Sequence, residues 1–222
     1  MFKKYEGEIY YRQETHVAAI LVFDTSGSMN PNIHELNMAM KLWIEDAKKN
    51  ISENAIIDVA IIEYNNDVQV INDFTPLIKL EPHTFTSQGT TCTGKAIEKA
   101  IEMAKSQVKR YRQEGIDAHI PWVLLFTDGM PTDSIENAKR LLQDEASKGK
   151  YGHVKLWAIA TDNADLNVCK QLTDRVIYMR DHDYKSMFDW TRESMAILSN
   201  SNPMDDSNVN LPALPQNTQI IK

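Results

Sequence analysis

Cysteines and long apolar runs are almost absent from this chain. Only two of the 222 residues are cysteines, Cys92 and Cys169. Two distant cysteines form no pattern of paired metal ligands and give weak support for a disulfide bond. No apolar run is long enough to span a bilayer. We therefore expect a protein without a membrane segment in a reducing compartment, and we predict a cytoplasmic location.

Excess positive charge is also missing. The chain has 24 Lys and Arg against 31 Asp and Glu, which gives a net charge of -7. The densest basic stretch, residues 109–112, falls late in a predicted helix, where we interpret it as a solvated face near the helix C-terminus. These features argue against nonspecific binding to nucleic acid. Residues 1–14 contain two lysines but no apolar segment after them, so we expect no signal peptide there.

The chain does have a regular alternation of strand and helix patterns. Apolar residues make up 42% and charged residues 25% of the chain, as in soluble globular domains. Alternating strands and helices indicate βαβ units and a mainly parallel sheet with helices on both faces. We predict a doubly wound α/β fold with six strands, one of them an antiparallel edge strand. The predicted strands are residues 16–23, 55–64, 68–71, 120–127, 154–160 and 176–179.

The same patterns divide the chain into three parts. Residues 1–14 are predicted to be an N-terminal lead segment, and residues 15–199 a single α/β domain. Residues 200–222 are rich in Ser, Asn, Asp and Pro without a period, so we predict a flexible C-terminal tail. The alternative is that residues 211–215 (LPALP) dock on the domain. The predicted helices are residues 31–47, 93–112, 134–148, 166–172 and 184–198.

The first strand ends in the motif Asp24-Thr25-Ser26-Gly27-Ser28. Alternate side chains of an extended segment lie on the same side, so Asp24, Ser26 and Ser28 point to one place. Carboxylate and hydroxyl oxygens are the donors that Mg²⁺ and Ca²⁺ prefer. Taken alone the motif is weak evidence, because Ser26 and Ser28 equally suit an ordinary loop or a helix N-cap.

Two further segments are predicted to reach the same edge of the sheet. Residues 89–96 (GTTCTGKA) immediately precede the most amphipathic helix, and Thr127-Asp128-Gly129 ends the strand 120–127. In open α/β sheets, ligands bind beyond the carboxyl ends of the strands, near the point where the strand order reverses. Carboxylates and hydroxyls from three separated segments are therefore expected to converge there.

This ordered set resembles the metal-ion-dependent adhesion site (MIDAS) of a von Willebrand factor A domain. The matching segments are DTSGS at 24–28, GTTCTGKA at 89–96 and FTDG at 126–129, and the resemblance extends from about residue 15 to residue 199. It implies a Rossmann-like fold and a bound Mg²⁺, with Mn²⁺ or Ca²⁺ as alternatives. The implied metal ligands are Asp24, Ser26, Ser28, Thr91 and Asp128.

The loop threonine has an alternative. Thr91 fits the family pattern, but Thr90 is the ligand if the register shifts by one residue. Thr90 also occupies a place where the family usually has glycine.

A narrower resemblance concerns the later part of the domain. Residues 161–166 (TDNADL) and 188–190 (FDW) are similar to a bacterial intracellular branch that includes the TerY-like proteins associated with tellurite resistance and chemical stress. This resemblance implies a role in a stress-response complex. For Asp162 and Asp165, capping of the following helix is the competing interpretation to a place on the rim of the site.

The donor set itself favours a binding function. Two carboxylates and three neutral hydroxyls leave a bound Mg²⁺ electrophilic, with a coordination position that an acidic residue of a partner protein can fill. We therefore predict a non-enzymatic, metal-dependent protein-binding module.

Two other functions are left open. A Mg²⁺-dependent phosphohydrolase is the alternative, because an aspartate at a strand end can act as a nucleophile. Against it, Ser26 occupies the place two residues after Asp24 where a second acid would stand. A third interpretation is a scaffold with a vestigial site, whose partner binding would survive EDTA.

The sequence also predicts structural roles for four residues beside these motifs. Met29 and Met130 follow the two acidic loops and are predicted to form an apolar rim around the ion. Thr93 and Asp133 are predicted to be N-caps, each at the start of the helix that follows it.

Overall fold

The computed structural model describes residues 15–49, 56–203 and 209–221. Within these ranges the strands form one sheet in the order β3-β2-β1-β4-β5-β6-β7. The predicted lead segment, residues 1–14, lies outside the described residues. The strands are β1 Val17–Asp24, β2 Ile57–Tyr64, β3 Val68–Pro76, β4 Trp122–Thr127, β5 Lys155–Ala160, β6 Val176–Met179 and β7 Thr218–Ile221.

Helices cover both faces of this sheet, which confirms the predicted doubly wound α/β architecture. The helices are α1 Ile33–Ala47, α2 Thr93–Glu114, α3 Glu136–Ser147, α4 Leu166–Leu172 and α5 Tyr184–Ser199. One apolar layer packs the sheet against α1 and α5, and a second packs it against α2 and α3. In the part of the chain that the structure describes, no helix has both the length and the apolar character needed to cross a bilayer.

The central position of β1 explains its apolar sequence. All eight of its residues are buried, because helices cover it on both sides. Phe23 packs with Phe126 and Phe188 on the α1 and α5 side, while Val22 faces the α2 side. β1 pairs in parallel with β4, with Phe23 opposite Phe126. The segments that follow these two strands therefore start side by side at one edge of the sheet.

Both edges of the sheet are antiparallel. β3 pairs with β2, as predicted from the turn signal at residues 65–67, although it extends to Pro76 and has an irregular register. β7 pairs with β6 at the opposite edge, with Val176 opposite Ile221. The sheet therefore has seven strands rather than the predicted six, and two antiparallel edge strands rather than one.

Part of the segment predicted to be a flexible tail, residues 209–221, lies against the domain and includes β7. Val209, Leu211 and Leu214 pack against the apolar layer under α5. Trp190 Nε1 donates a hydrogen bond to the carbonyl oxygen of Pro212 at 3.1 Å. The sequence pattern did not indicate this docking. The segment has isolated apolar residues among prolines and a strand of only four residues, and neither gives a period that distinguishes it from a loop.

A buried carboxylate fastens the end of α3 near the start of β5. The Glu145 side chain is only 1% exposed, and it accepts hydrogen bonds from Lys105 Nζ at 3.0 Å and Lys148 Nζ at 2.8 Å. It also accepts from the backbone N–H of His153 at 2.8 Å. Burial alone would raise the pKa of Glu145, but the hydrogen bonds from Lys148, Lys105 and His153 lower it to about 2.

Ending the chain after residue 208 is expected to destabilise the domain. The truncation removes β7, exposes the backbone edge of β6 and uncovers the apolar surface under residues 209–214. We expect the midpoint of thermal unfolding to fall by about 5–10 °C. Trp190→Phe, which removes the hydrogen bond to Pro212 and part of the ring that packs on Trp122 and Trp157, is expected to lower it by about 2–4 °C. An unchanged midpoint in the truncated chain, measured by calorimetry, would contradict the docking.

Glu145→Gln tests the buried carboxylate. The pKa of Glu145 is lower in the folded state than its ordinary value of 4.5, so its stabilisation is complete above about pH 4.5 and disappears as the pH falls towards 2. We expect the variant to lose about 1–3 kcal/mol of unfolding free energy at pH 7 and much less at pH 3. Denaturant titrations at the two pH values measure this difference, and a loss independent of pH would refute the assignment.

Candidate metal centre

Oxygen atoms from two loops and one strand end lie around Gly129. A Cβ atom placed on Gly129 would lie 3.4 Å from Ser28 Oγ, 3.6 Å from Thr91 Oγ1 and 3.9 Å from Asp24 Oδ2. These oxygens come from the loop after β1, the loop before α2 and the end of β1 itself. The absence of a side chain at residue 129 keeps the space between them open.

A chain of hydrogen bonds joins the two serines to the second aspartate. Ser26 Oγ lies 2.9 Å from Ser28 Oγ. Ser28 Oγ in turn donates to Asp128 Oδ1 at 2.7 Å. The structure thus brings together all five residues predicted as a metal site, since Asp24 and Thr91 face the same Gly129.

Asp24 is fully buried and held by three donors. Its Oδ1 accepts the backbone N–H of Ser26 at 2.9 Å. Its Oδ2 accepts from Thr127 Oγ1 at 3.1 Å and, at 3.4 Å, from the hydroxyl of Tyr64. Sequence reasoning did not assign these last two contacts. The contact of Tyr64 could have been found from its position at the end of β2, because this residue lies directly opposite Asp24 in the sheet.

The site strongly disfavours two free negative charges. Burial raises the pKa of Asp24 to about 6, and the charge of Asp128 adds to this effect, while hydrogen bonds from Ser26 and Thr127 oppose it. Burial also raises the pKa of Asp128, although Ser28 and the charge of His182 oppose the increase. A cation between the two carboxylates would remove much of this cost.

Asp128 provides a test of whether a metal ion fits. Its Oδ2 is buried and has no hydrogen-bond partner among the described residues. Such an atom is expensive to bury, and a divalent cation satisfies it directly. Within the described residues no group of three or more His, Cys, Asp and Glu is placed to hold a metal. The donor set has only two carboxylates and otherwise consists of hydroxyls, which suits a hard cation such as Mg²⁺.

The two candidate threonines of the α2 loop have different surroundings. Thr90 is exposed, and its backbone N–H and its hydroxyl both donate to Asn66 Oδ1 at 2.8 Å. Thr91 is buried, and its backbone N–H donates to Thr132 Oγ1 at 3.1 Å. The hydroxyl of Thr91, in contrast, lies near Gly129. The geometry therefore favours Thr91 over Thr90 as the residue of the site.

The predicted capping roles of Thr93 and Asp133 are corrected. Asp133 accepts the backbone N–H groups of Gly94 at 3.0 Å and Lys95 at 2.9 Å, so it caps α2 rather than its own helix α3. Thr93 is the first residue of α2, with Cys92 at the N-cap position. The reason is close packing, since a Cβ on Gly94 would lie 2.2 Å from the carbonyl oxygen of Ser134. This contact clamps the Thr91 loop to the loop after β4.

The prediction that Met29 lies on the rim of the site is corrected. Met29 is 2% exposed and lies in the apolar core, where its Sδ accepts from the hydroxyl of Tyr184 at 3.9 Å. Met29 therefore belongs to the floor beneath the site and not to its rim. Met130 is 66% exposed, directly after Asp128 and Gly129.

The loop between β6 and α5 contains two left-handed residues that sequence reasoning missed. Asp181 and His182 both have a left-handed backbone, with φ of 55° and 51°. The His182 ring lies 6.3 Å from the Tyr184 ring, between centroids.

Comparison with known proteins gives a family and a fold. The family model of the von Willebrand factor type A domain matches residues 20–190. The vWF domain of the type V pili tip protein Mfa5 from Porphyromonas gingivalis is 11% identical with a TM-score of 0.60, over 85% of this chain and 98% of that one. Proximal thread matrix protein 1 from the mussel byssus, with a zinc-occupied MIDAS motif, is 17% identical with a TM-score of 0.53.

Two further comparisons show how far these similarities support conclusions beyond the fold. The ArnB paralog VWA2 from Sulfolobus acidocaldarius is 19% identical with a TM-score of 0.51, over 82% of this chain and 45% of that one. The mussel protein match covers 84% of this chain and 46% of that one, so this chain spans less than half the length of both proteins. The search of curated proteins finds no match. These identities show the fold alone, but the family model covers most of the sequence, and the chain belongs to the von Willebrand factor type A domain family.

Proposed function

We propose that this protein is a non-enzymatic, metal-dependent protein-binding module. The observation that carries the proposal is the pair of buried carboxylates, one of which has an oxygen without a partner among the described residues. Domains of this family commonly mediate metal-dependent protein interactions. The proposed ligands are Asp24, Ser26, Ser28, Thr91 and Asp128, some of them through water.

Mg²⁺ is the proposed ion, with Mn²⁺ or Ca²⁺ as alternatives. Hydroxyl and carboxylate oxygens match the preference of these hard cations. Zinc occupies the MIDAS motif of the mussel protein, so Zn²⁺ should be included among the ions whose binding is measured. When bound, the ion offers a coordination position to an oxygen of another molecule.

The proposed partner is a protein that supplies a carboxylate to the ion. Two carboxylates do not exceed the charge of a divalent cation, and the neutral hydroxyls leave the ion a Lewis acid with a coordination position that a further carboxylate can fill. Ser28 is the exposed member of the donor set, and Met130, two residues after Asp128, presents an exposed apolar side chain. An acidic residue next to an apolar one would match this surface.

The structure lends less support to the phosphohydrolase alternative. A nucleophilic aspartate needs an oxygen that reaches the substrate, but Asp24 is fully buried and both of its oxygens accept hydrogen bonds. Its surroundings instead suit a residue that holds an ion or orients neighbouring donors.

The finer assignment, a cytoplasmic assembly factor in a tellurite or chemical-stress response, rests on the TerY-like resemblance alone. Two of the residues that carry it also have structural roles. Asp165 caps α4 by accepting the N–H groups of Asn167 and Val168, and Asp162 accepts from the Tyr178 hydroxyl. Abundance of the protein that is unchanged by tellurite in its host would count against this assignment.

Metal titration of ligand variants tests the central proposal. We expect Asp128→Asn to weaken Mg²⁺ and Mn²⁺ binding by about 100-fold or more, because it removes a charged ligand. Thr91→Ala is expected to weaken binding by about tenfold, whereas the matched control Thr90→Ala leaves it unchanged. Isothermal titration calorimetry measures these affinities. Equal effects of the two threonine variants would contradict the assigned register.

Binding and activity assays with the natural protein and its variants distinguish the three functional interpretations. If the protein is a binding module, a partner protein binds to it in the presence of Mg²⁺ and dissociates when EDTA removes the ion. The Asp128→Asn variant then does not bind the partner even in Mg²⁺. Partner binding that survives EDTA would indicate a vestigial site. Phosphatase turnover that needs Mg²⁺ and disappears in Asp24→Asn would instead favour the phosphohydrolase.

Metal affinity is expected to fall in acid. The pKa of Asp24 is about 6 because the side chain is buried, and protonation competes with the ion below that pH. Since the ionised form binds the ion, affinity rises with pH through 6 and then levels off. We expect about tenfold weaker Mn²⁺ binding at pH 5 than at pH 7, measured by calorimetry. A constant affinity across this range would show that Asp24 does not ionise on binding.

A further inference from the structure

Three tryptophan rings form a patch on the α5 side of the sheet. The rings of Trp122, Trp157 and Trp190 contact one another, with centroids between 5.1 and 6.1 Å apart. Trp122 is the first residue of β4, whereas the candidate metal centre lies beyond the last residue of the same strand. A strand of this length spans about 20 Å, so the tryptophan patch is a surface separate from the metal centre.

A proline-rich segment of the chain itself docks on this patch. Residues 211–215 have the sequence LPALP, and Trp190 Nε1 donates a hydrogen bond to the carbonyl oxygen of Pro212. Proline fixes its own backbone and restricts the residue before it, so this sequence favours the extended polyproline II conformation. Residues 209–215 accordingly form neither helix nor strand. Docking of a proline-rich segment on aromatic side chains is a recurring mode of peptide recognition.

The chain's own segment fits the patch incompletely. Its apolar side chains Val209, Leu211 and Leu214 are only half-buried. Trp157 Nε1 is shielded from solvent but has no hydrogen-bond partner among the described residues. A buried indole N–H normally has an acceptor, and leaving it without one costs free energy. A ligand that offers a further carbonyl oxygen to the patch would remove this cost.

A cavity with acidic walls lies beside the docked segment. It has a volume of about 400 Å³ and separates α5 from residues 213–217. The described residues that line it include no Lys or Arg but three carboxylates, those of Asp183, Asp189 and Glu193. Lys185 outside the cavity pairs with Asp189 at 2.7 Å, which compensates only one of the three. The segment presents the uncharged Gln216 and Asn217 to this cavity, where a Lys or Arg side chain would match the charge.

We propose that the tryptophan patch is a docking site for a proline-rich segment of a partner protein, with the pattern LPxLP followed by Lys or Arg. Residues 209–215 of this chain occupy the site as an internal competitor, and they lie outside the part of the chain that the family model matches. The partner segment takes the place of Pro212 at Trp190, and its basic residues enter the acidic cavity. No step of this docking involves the proposed metal ion.

A full-length variant that releases the internal competitor tests the proposal. Leu211→Asp combined with Leu214→Asp charges the two leucines that dock the segment and leaves the tryptophan patch intact. The probe is the labelled peptide VNLPALPKK, which is residues 209–217 with Lys at the last two positions. We expect the released variant to bind it at least about tenfold more tightly than the natural protein, because a tethered segment competes at a millimolar effective concentration. Fluorescence anisotropy measures the affinities, and circular dichroism verifies that the variant is folded.

Matched peptides and acidic variants test the two parts of the recognition. In the released variant, we expect VNLPALPEE and the proline-free VNLAALAKK each to bind about tenfold more weakly than VNLPALPKK. Adding Glu193→Gln is expected to weaken VNLPALPKK by about threefold and to leave the uncharged peptide VNLPALPQN unaffected. Glu102→Gln is the control, because it removes an exposed carboxylate from α2 on the other face of the sheet. We expect it to change neither affinity.

Several outcomes would overturn the inference. They are equal binding by the natural and released proteins, equal affinity for the Lys and Glu peptides, or a folded released variant that binds none of the peptides. A dimer of the natural protein that VNLPALPKK dissociates, detected by light scattering, would make a second copy the occupant and overturn the assignment to another protein. EDTA is expected to leave all peptide affinities unchanged, so these results are independent of whether the metal centre is correctly assigned.

Discussion

Two buried carboxylates at the ends of adjacent central strands impose the main constraint on this structure. Burial and mutual repulsion raise the pKa of Asp24 to about 6. Because the folded state then binds a proton more tightly than the unfolded chain, ionisation of Asp24 costs stability as the pH rises from about 4 to 6. Hydrogen bonds from Ser28 to Asp128, and from Thr127 to Asp24, offset part of this cost. A divalent cation would offset the rest and turn a strained pair into a binding site.

The surrounding fold holds this pair in place. β1 and β4 are neighbours at the centre of a buried parallel sheet, so their ends cannot separate without disrupting both apolar layers. The loop that carries Thr91 is clamped from the other side, because Asp133 caps α2 and Gly94 permits the close approach of residue 134. Rigid support on three sides is what a site needs to present an ion to a partner in a fixed orientation.

The fold class was predictable from the sequence because it depends on local signals, whereas the five proposed ligands were identified through the resemblance to the family motif. Strand and helix periods indicate a parallel sheet, and the ends of its strands bring Asp24 and Asp128 to one edge. β7 was missed because a four-residue strand among prolines carries almost no period. The capping of α2 by Asp133 and the left-handed backbone of His182 depend on loop conformation, which the hydrophobic period of the sequence does not reveal.

A crystal grown in Mn²⁺ tests the central claim most directly. The account predicts one anomalous-scattering peak beside Gly129, bounded by the oxygens of Ser28, Thr91 and Asp128, and no such peak in crystals of Asp128→Asn. A manganese peak elsewhere on the molecule, with Asp128 Oδ2 satisfied by a protein donor instead, would contradict the account.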